Sequence, residues 1–118
     1  MKLRALAVAA TLLLVPTSVA LAHTPLKSAT PKKNSTQHKA VKEVRATFKA
    51  KMQTGIIEIT KAGSTVTLKS SGLISSNKAV IRAVPSSPLG SGTYKVSWRA
   101  RAGDGHSEKG SWTFKVKL

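Results

Sequence analysis

Two segments near the end of the chain alternate apolar and polar residues with a period of two. They cover residues 93–101 and 111–118. Their apolar positions are Tyr94, Val96, Trp98 and Ala100 in the first segment and Trp112, Phe114, Val116 and Leu118 in the second. Because neighbouring side chains of a strand point to opposite faces, each segment predicts a strand with one core face and one wet, basic face. The two tryptophans and the tyrosine fall on the core faces, which favours packing over ligand binding for these rings.

Shorter β-like segments precede these two and are separated by turn residues. They cover residues 26–29, 44–48, 55–60, 65–69 and 79–84. Residues 31–42 are polar and basic, which predicts an exposed loop. No helical periodicity stands out after residue 22. About seven short strands with regular turns predict an all-β fold, an antiparallel Greek-key β-sandwich of the immunoglobulin-like kind.

The first 22 residues are typical of a secretory signal peptide. Lys2 and Arg4 give a positive start, residues 5–15 are apolar, and residues 20–22 (Ala-Leu-Ala) form a small-x-small cleavage signal. The apolar run is short for a membrane span of about 20 residues. We therefore expect residues 1–22 to be removed and residues 23–118 to form one small domain. The bacterial periplasm, or the space outside the cell, is the expected compartment.

The charge of the chain is strongly positive. Lysine and arginine number 20 against 4 acidic residues, and losing Lys2 and Arg4 leaves 18 basic residues and a net charge of +14. Such a field attracts anionic lipid heads, acidic polysaccharide or nucleic acid. A secreted protein rarely meets nucleic acid, and the scarce aromatics argue against single-strand binding, so no nucleic-acid partner is expected. The favoured interpretation of the charge is a solvated basic surface, and a weak association with anionic surfaces, or a basic polyanion-binding module, stays open as an alternative.

The absence of cysteine narrows the chemistry further. The chain has no cysteine, so it has no disulfides, no thiolate metal site and no cysteine nucleophile. His38 lies in the lysine-rich segment 31–42 and is expected at the surface, without a metal.

Cleavage after Ala22 would make His23 the first residue, with its α-amine and imidazole Nδ1 both able to hold one metal. Asp104 and His106 lie in the predicted connection between the last two strands. If that segment is extended, their spacing of two residues projects both side chains to the same side. Three nitrogens and one oxygen suit the tetragonal geometry of Cu(II). Zinc stays open as an alternative, and the loop taken alone could be a simple Asp-Gly turn with a solvent-facing histidine.

The chain resembles the CopC family of periplasmic copper-resistance proteins over nearly all of residues 23–118. The resemblance depends on motifs along the whole domain. They are His23-x-x-Leu26, Ser28-x-x-Pro31, Pro88-Leu89-x-x-Gly92-x-Tyr94-x-Val96-x-Trp98-Arg99 and Asp104-Gly105-His106-x-x-x-Gly110-x-Trp112-x-Phe114-x-Val116. The resemblance implies a small β-sandwich that binds one Cu(II) per chain through His23, Asp104 and His106. It implies a copper carrier or buffer, not an enzyme, whose protein partner is an inner-membrane copper transporter or a periplasmic multicopper oxidase.

Two further expectations follow from the resemblance. The ligand set looks like the histidine brace of lytic polysaccharide monooxygenases, so a copper oxidase or monooxygenase-like enzyme is an alternative. A domain of 96 residues leaves little room for an extended substrate surface. Some family members carry a methionine-rich loop that binds Cu(I), but Met52 is the single methionine after residue 22, so no such site is predicted.

Overall fold

A computed structural model describes residues 26–118, and these residues form nine strands and no helix. The strands are β1 (Leu26–Thr30), β2 (Thr36–Gln37), β3 (Val44–Phe48), β4 (Met52–Lys61), β5 (Ser64–Thr65), β6 (Leu68–Ile74), β7 (Asn77–Pro85), β8 (Gly92–Ala102) and β9 (Ser107–Val116). Seven are five residues or longer and two contain two residues each. Within residues 26–118 no helix could cross a bilayer. The predicted all-β class is confirmed.

The strands form two sheets packed face to face. One sheet has the order β1-β3-β7-β6, and the other has the order β2-β9-β8-β4-β5. All pairings are antiparallel except that of β2 with β9, which is parallel. Several connections cross from one sheet to the other, as in a Greek-key sandwich. The predicted antiparallel Greek-key sandwich is therefore confirmed, with one short parallel pairing added at its edge.

The core lies between the two inner faces, where the period-two pattern places the apolar side chains. The predicted inward set of β8, from Tyr94 to Ala100, is buried throughout. On β9 the residues Trp112, Phe114 and Val116 are also buried. Leu118 was predicted to belong to this set, but it is 67% exposed. It follows the last residue of β9, so no facing strand covers its side chain.

The aromatic rings pack between the two sheets and within one of them. Phe48 of β3 meets Trp98 of β8 edge to face, with ring centroids 4.9 Å apart. Tyr94 stacks on Phe114 within the five-stranded sheet at 5.4 Å. Such ring pairs contribute about 0.5–1.5 kcal/mol each beyond the area they bury. The rings predicted to be core are core.

The segment predicted as an exposed loop, residues 31–42, is partly ordered against the sandwich. The segment contains β2. Pro31 and Val41 are buried, and Val41 forms an isolated bridge with Leu89. The carbonyl of Pro31 accepts a hydrogen bond of 3.0 Å from the buried indole N–H of Trp112. Because a buried indole N–H needs an acceptor, this contact fixes the segment to the core. The sequence showed the polar residues of the segment but not these anchors.

The predicted strand over residues 65–69 is wrong in its position. The chain leaves the five-stranded sheet after β5 and enters the other sheet as β6, which extends to Ile74. Residues 70–72 (Ser-Ser-Gly) look like a turn but lie within an edge strand. The hydroxyl of Ser71 bridges to the other sheet, because it accepts from the N–H of Ile57 and donates to its carbonyl, both at 2.8 Å. A satisfied hydroxyl therefore replaces the apolar residue expected in a strand.

Candidate metal centre

Asp104 and His106 lie at the tip of the β8–β9 hairpin. The connection between the strands is four residues, 103–106, because β9 begins at Ser107 and not at the predicted residue 111. The turn is closed by hydrogen bonds from the N–H of Ala102 to the carbonyl of His106 at 2.8 Å and from the N–H of Gly105 to the carbonyl of Ala102 at 2.9 Å. The candidate ligands are thus on a short, hydrogen-bonded turn.

The two side chains contact each other directly. Asp104 Oδ2 lies 2.8 Å from His106 Nδ1, and Asp104 Oδ1 accepts the backbone N–H of His106 at 3.0 Å. The second contact is the hydrogen bond of an Asx turn, in which a carboxylate binds its own backbone two residues on. Gly105 between them has φ of +92°, a value that favours glycine. The sequence predicted their proximity from an extended segment, but a turn produces it.

The electrostatics of the pair favour an ionised carboxylate. The pKa of Asp104 is lowered, first by the hydrogen bond from the backbone N–H of His106 and then by that from its side chain. Both side chains are exposed, with 64% of Asp104 and 71% of His106 accessible to solvent. Because Nδ1 of His106 is engaged by Asp104, Nε2 is the ring nitrogen that can bind a metal.

The start of β1 lies at the same end of the sandwich as this turn. Leu26 pairs with Phe48, the last residue of β3, and Met52 at the start of β4 pairs with Ala102 directly before the turn. Gln53 donates a hydrogen bond of 2.9 Å to the carbonyl of Gly103, which holds the turn against this corner. The described part of the chain therefore begins at the end of the sandwich that carries the Asp104–His106 pair.

The third predicted ligand, His23, lies outside the described residues. Within residues 26–118 no three His, Cys, Asp or Glu side chains form a metal cluster, so these residues supply two candidate ligands. His38, expected to be a surface residue, is exposed and its Nδ1 lies 3.1 Å from the carbonyl of Lys117. Lys117 follows β9 at the end opposite to the turn, about 30 Å along the strand. His38 is therefore not part of the pair.

Glycine positions behind the turn show how the hairpin is packed. A Cβ at Gly110 would lie 2.6 Å from Cζ2 of Trp98, so the indole ring covers this glycine. Residues 98 and 110 are opposite each other in the β8–β9 register. The ring of Trp98 thus packs on Gly110 of the opposite strand of the hairpin, and Phe48 of the facing sheet packs against the same ring. We call this closely packed part of the hairpin its base, and the exposed turn extends from it.

Comparison with known proteins identifies the class to which this β-sandwich belongs. The family model of the CopC domain matches residues 26–117, and the chain belongs to this family. The match begins three residues after His23. The resemblance inferred from the sequence motifs is confirmed.

Particular relatives agree with this assignment. Copper resistance protein C of Pseudomonas syringae pv. tomato is 64% identical over 33 residues, which are 28% of this chain and 26% of that protein. The alignment therefore spans about a quarter of this curated relative. The crystal structure of PcoC, a methionine-rich copper resistance protein from Escherichia coli, matches with a TM-score of 0.67 and 28% identity, covering 81% of this chain and all of that one. CopC from Methylosinus trichosporium OB3b matches in fold with a TM-score of 0.68, 23% identity, and coverage of 80% and 94%.

Proposed function

We propose that this chain binds one Cu(II) ion and acts as a periplasmic copper carrier or buffer in copper resistance. Membership of the CopC domain family and the copper-resistance names of its relatives support a role with copper. Residues 1–22 act as the cleaved signal peptide, and residues 23–118 form the working domain. The ligands are His23, Asp104 and His106.

The observation that carries the proposal is the preformed Asp104–His106 pair. A neutral imidazole that donates its Nδ1–H to Asp104 presents Nε2 as a lone pair to the metal. An ionised carboxylate has about four acceptor positions, so Asp104 can keep the hydrogen bond from the backbone N–H of His106 and offer Oδ2 to the metal. The contact between Oδ2 and Nδ1 opens when Asp104 and Nε2 share one ion, because the two imidazole nitrogens point to opposite sides of the ring. The lowered pKa of Asp104 keeps that carboxylate ionised when copper binds.

His23 would complete the ligand set. Leu26 follows it by three positions, a distance of at most about 10 Å for an extended chain. Leu26 lies at the same end of the sandwich as the turn. The amine and imidazole of His23, Nε2 of His106 and one oxygen of Asp104 give three nitrogens and one oxygen, which favour Cu(II) in a tetragonal arrangement. Zinc is the competing metal for such a set.

The test of the terminal chelate is a one-residue extension. Adding one alanine before His23 in the processed protein keeps the imidazole but takes away its amine. We expect Cu(II) affinity to fall by about 100-fold or more and the electron paramagnetic resonance spectrum to change. The matched control adds one alanine after the exposed Leu118 and leaves both unchanged. An extended protein with unaltered affinity and spectrum would overturn the model.

The intact mass of the secreted protein tests processing and stoichiometry together. We expect the mass of residues 23–118 without metal and an increase of one copper atom after loading with Cu(II). Cleavage at another position, or uptake of two or more copper ions at low excess, would contradict the proposal.

Copper binding should depend on pH, because the metal competes with protons for its nitrogen ligands. An α-amine has an ordinary pKa of about 7.7–8.0, and copper binds the imidazoles only in their neutral form, so affinity falls steeply below about pH 6. The positive field of the domain opposes copper capture, but salt screens it beyond about 8 Å. A Cu(II) titration between pH 5 and pH 8 checks the trend, and a flat profile would contradict nitrogen ligation.

We propose a non-catalytic role for the bound copper. The copper-loaded protein should not consume hydrogen peroxide in the presence of a reductant faster than a His106→Ala variant treated in the same way. Faster consumption, or oxidation of a polysaccharide, would favour the histidine-brace enzyme instead.

A further inference from the structure

A second surface, separate from the hairpin tip, concentrates the positive charge. We call it the basic face: the outward side of β4, β8 and β9 in the five-stranded sheet. Five exposed cations point outward from it, namely Lys95, Arg99, Arg101, Lys109 and Lys115. At the outward positions of these three strands Glu58 is the one acidic residue. The face therefore carries a net charge of about +4.

Two of these cations are opposite each other without a described counterion. Arg99 pairs directly with Lys109 in the antiparallel register. Their Cβ atoms are about 5 Å apart in such a pair, and like charges in this position destabilise a sheet. Neither side chain belongs to the two ion pairs described within residues 26–118, which are Arg45–Glu43 and His106–Asp104. An anion bound over the pair would relieve this repulsion.

The surface around the pair is shallow and partly apolar. A hollow of about 500 Å³ lies among Ile56, Arg99, Arg101 and Lys109, and the half-buried Glu108 also lines it. A second hollow of about 390 Å³ shares Ile56, Arg99 and Lys109 with it and extends to Lys95 and Glu58. Ile56 is opposite Arg99 in the register and is 41% exposed. An apolar side chain thus stands among the cations.

We propose that the basic face docks on the surface of an anionic phospholipid bilayer. Its cations form a two-dimensional array, with about 7 Å between same-face residues along a strand and about 5 Å between strands, which suits a plane of phosphate head groups. Ile56 lies among these cations, where its side chain can enter the apolar layer of the bilayer beneath the head groups. Sugars and single-stranded nucleic acids use exposed aromatic rings for stacking, and the Phe, Tyr and Trp rings in residues 26–118 are all buried, which disfavours these partners.

The test uses metal-free protein, processed as the cell secretes it, and vesicles of phosphatidylcholine with or without 30% phosphatidylglycerol. We expect binding to the anionic vesicles alone, lost in 0.5 M salt. The variant Arg99→Gln with Lys109→Gln should bind about 30-fold more weakly, about fivefold for each cation. The matched control, Lys42→Gln with Lys78→Gln, removes the same charge from exposed positions outside the basic face and should bind within a fewfold of the parent.

A second measurement does not depend on the stability of the double variant. Because the chain has no cysteine, Ile56→Cys and Lys78→Cys each give one site for an environment-sensitive fluorophore. Anionic vesicles should shift the emission of the label at position 56 to the blue and leave the label at position 78 unchanged.

Three results would overturn the proposal. Equal weakening by the two double variants would mean that net charge, without a docking face, attracts the protein. A fluorophore response at position 78 equal to that at position 56 would mean the same. Retention on heparin or on an acidic protein, without binding to anionic vesicles, would assign the face to another polyanion.

Discussion

The base and the tip of the β8–β9 hairpin are stabilised in different ways. At the base, Trp98 and Trp112 are buried, and Phe48 packs on the ring of Trp98 from the facing sheet. At the tip, Asp104 and His106 are exposed and are held by hydrogen bonds to each other and to the turn backbone. Burial of apolar area is worth several kcal/mol, whereas an exposed ion pair contributes about 0–1 kcal/mol. The scaffold and the candidate site should therefore respond separately to mutation.

The largest effect is expected at the base. Phe48→Ala removes a ring that is 2% exposed, and it should lower the free energy of unfolding by about 3–5 kcal/mol. Urea unfolding followed by tryptophan fluorescence measures this change. Ile56→Ala is the matched control, because Ile56 lies in the sheet but is 41% exposed, and it should cost less than about 1 kcal/mol. Similar losses of unfolding free energy in the two variants would contradict the close packing of Phe48 on the base of the hairpin.

A smaller effect is expected where the hairpin closes over Trp98. Gly110→Ala places a methyl group 2.6 Å from the indole ring, so the ring must move, at a cost of about 1–3 kcal/mol. Gly72→Ala is the control, because a Cβ there meets nothing within 4 Å. Thermal unfolding should show a lower Tm for the first variant and an unchanged or slightly higher Tm for the second. An unchanged Tm in Gly110→Ala would mean that the ring of Trp98 is not held in place.

Substitutions at the tip should have the opposite effect: they weaken Cu(II) binding and leave the stability of the fold unchanged. Asp104→Asn and His106→Ala should each leave the free energy of unfolding nearly unchanged, because both side chains are exposed. Cu(II) affinity should fall by at least about 10- to 100-fold, the range seen when even an outer partner of a metal ligand is removed. Calorimetric titration and urea unfolding on the same preparations separate the two effects. Unfolding of either variant would show that the tip supports the scaffold.

The sequence predicted the base better than the tip because burial leaves a periodic pattern and turn geometry does not. Alternation identified Trp98 and Trp112 as core residues, and the structure agrees. It missed the early start of β9, since residues 107–110 are small or charged and their pairing with β8 depends on the register. It missed the greater part of β6, residues 70–74, for a similar reason: Ser71 is satisfied by a hydrogen bond from the facing sheet, which no local pattern reveals.

The candidate ligands were identified by residue type and spacing, but the reason for their proximity was not. Asp104 and His106 meet because Gly105 adopts a positive φ and the carboxylate caps the turn. An Asp-Gly sequence favours such a turn, and that signal could have replaced the extended segment in the prediction. The role of His23 stays a prediction, because it lies before the described residues.

The smallest expected effect distinguishes the two hydrogen bonds that hold the tip. The backbone N–H of His106 is the main cause of the lowered pKa of Asp104, and the imidazole is the lesser one. His106→Ala keeps the N–H, so the pKa of Asp104 should rise but stay below its ordinary value. Carbon-detected NMR titration of the metal-free protein measures it. The control Ser107→Ala, at the neighbouring exposed position, should leave the pKa unchanged.

The sign of the linked stability follows from this pKa. Because folding lowers the pKa of Asp104, the unfolded chain binds the proton more readily, and stability rises with pH across the interval between the two values. The contribution of Asp104 is therefore complete above its ordinary pKa of about 3.8 and is lost as the pH falls through the lower, folded value. In Asp104→Asn this part of the acid dependence should disappear while the core is unchanged. A full return of the pKa of Asp104 to its ordinary value in His106→Ala would instead show that the imidazole, and not the turn backbone, organises the tip.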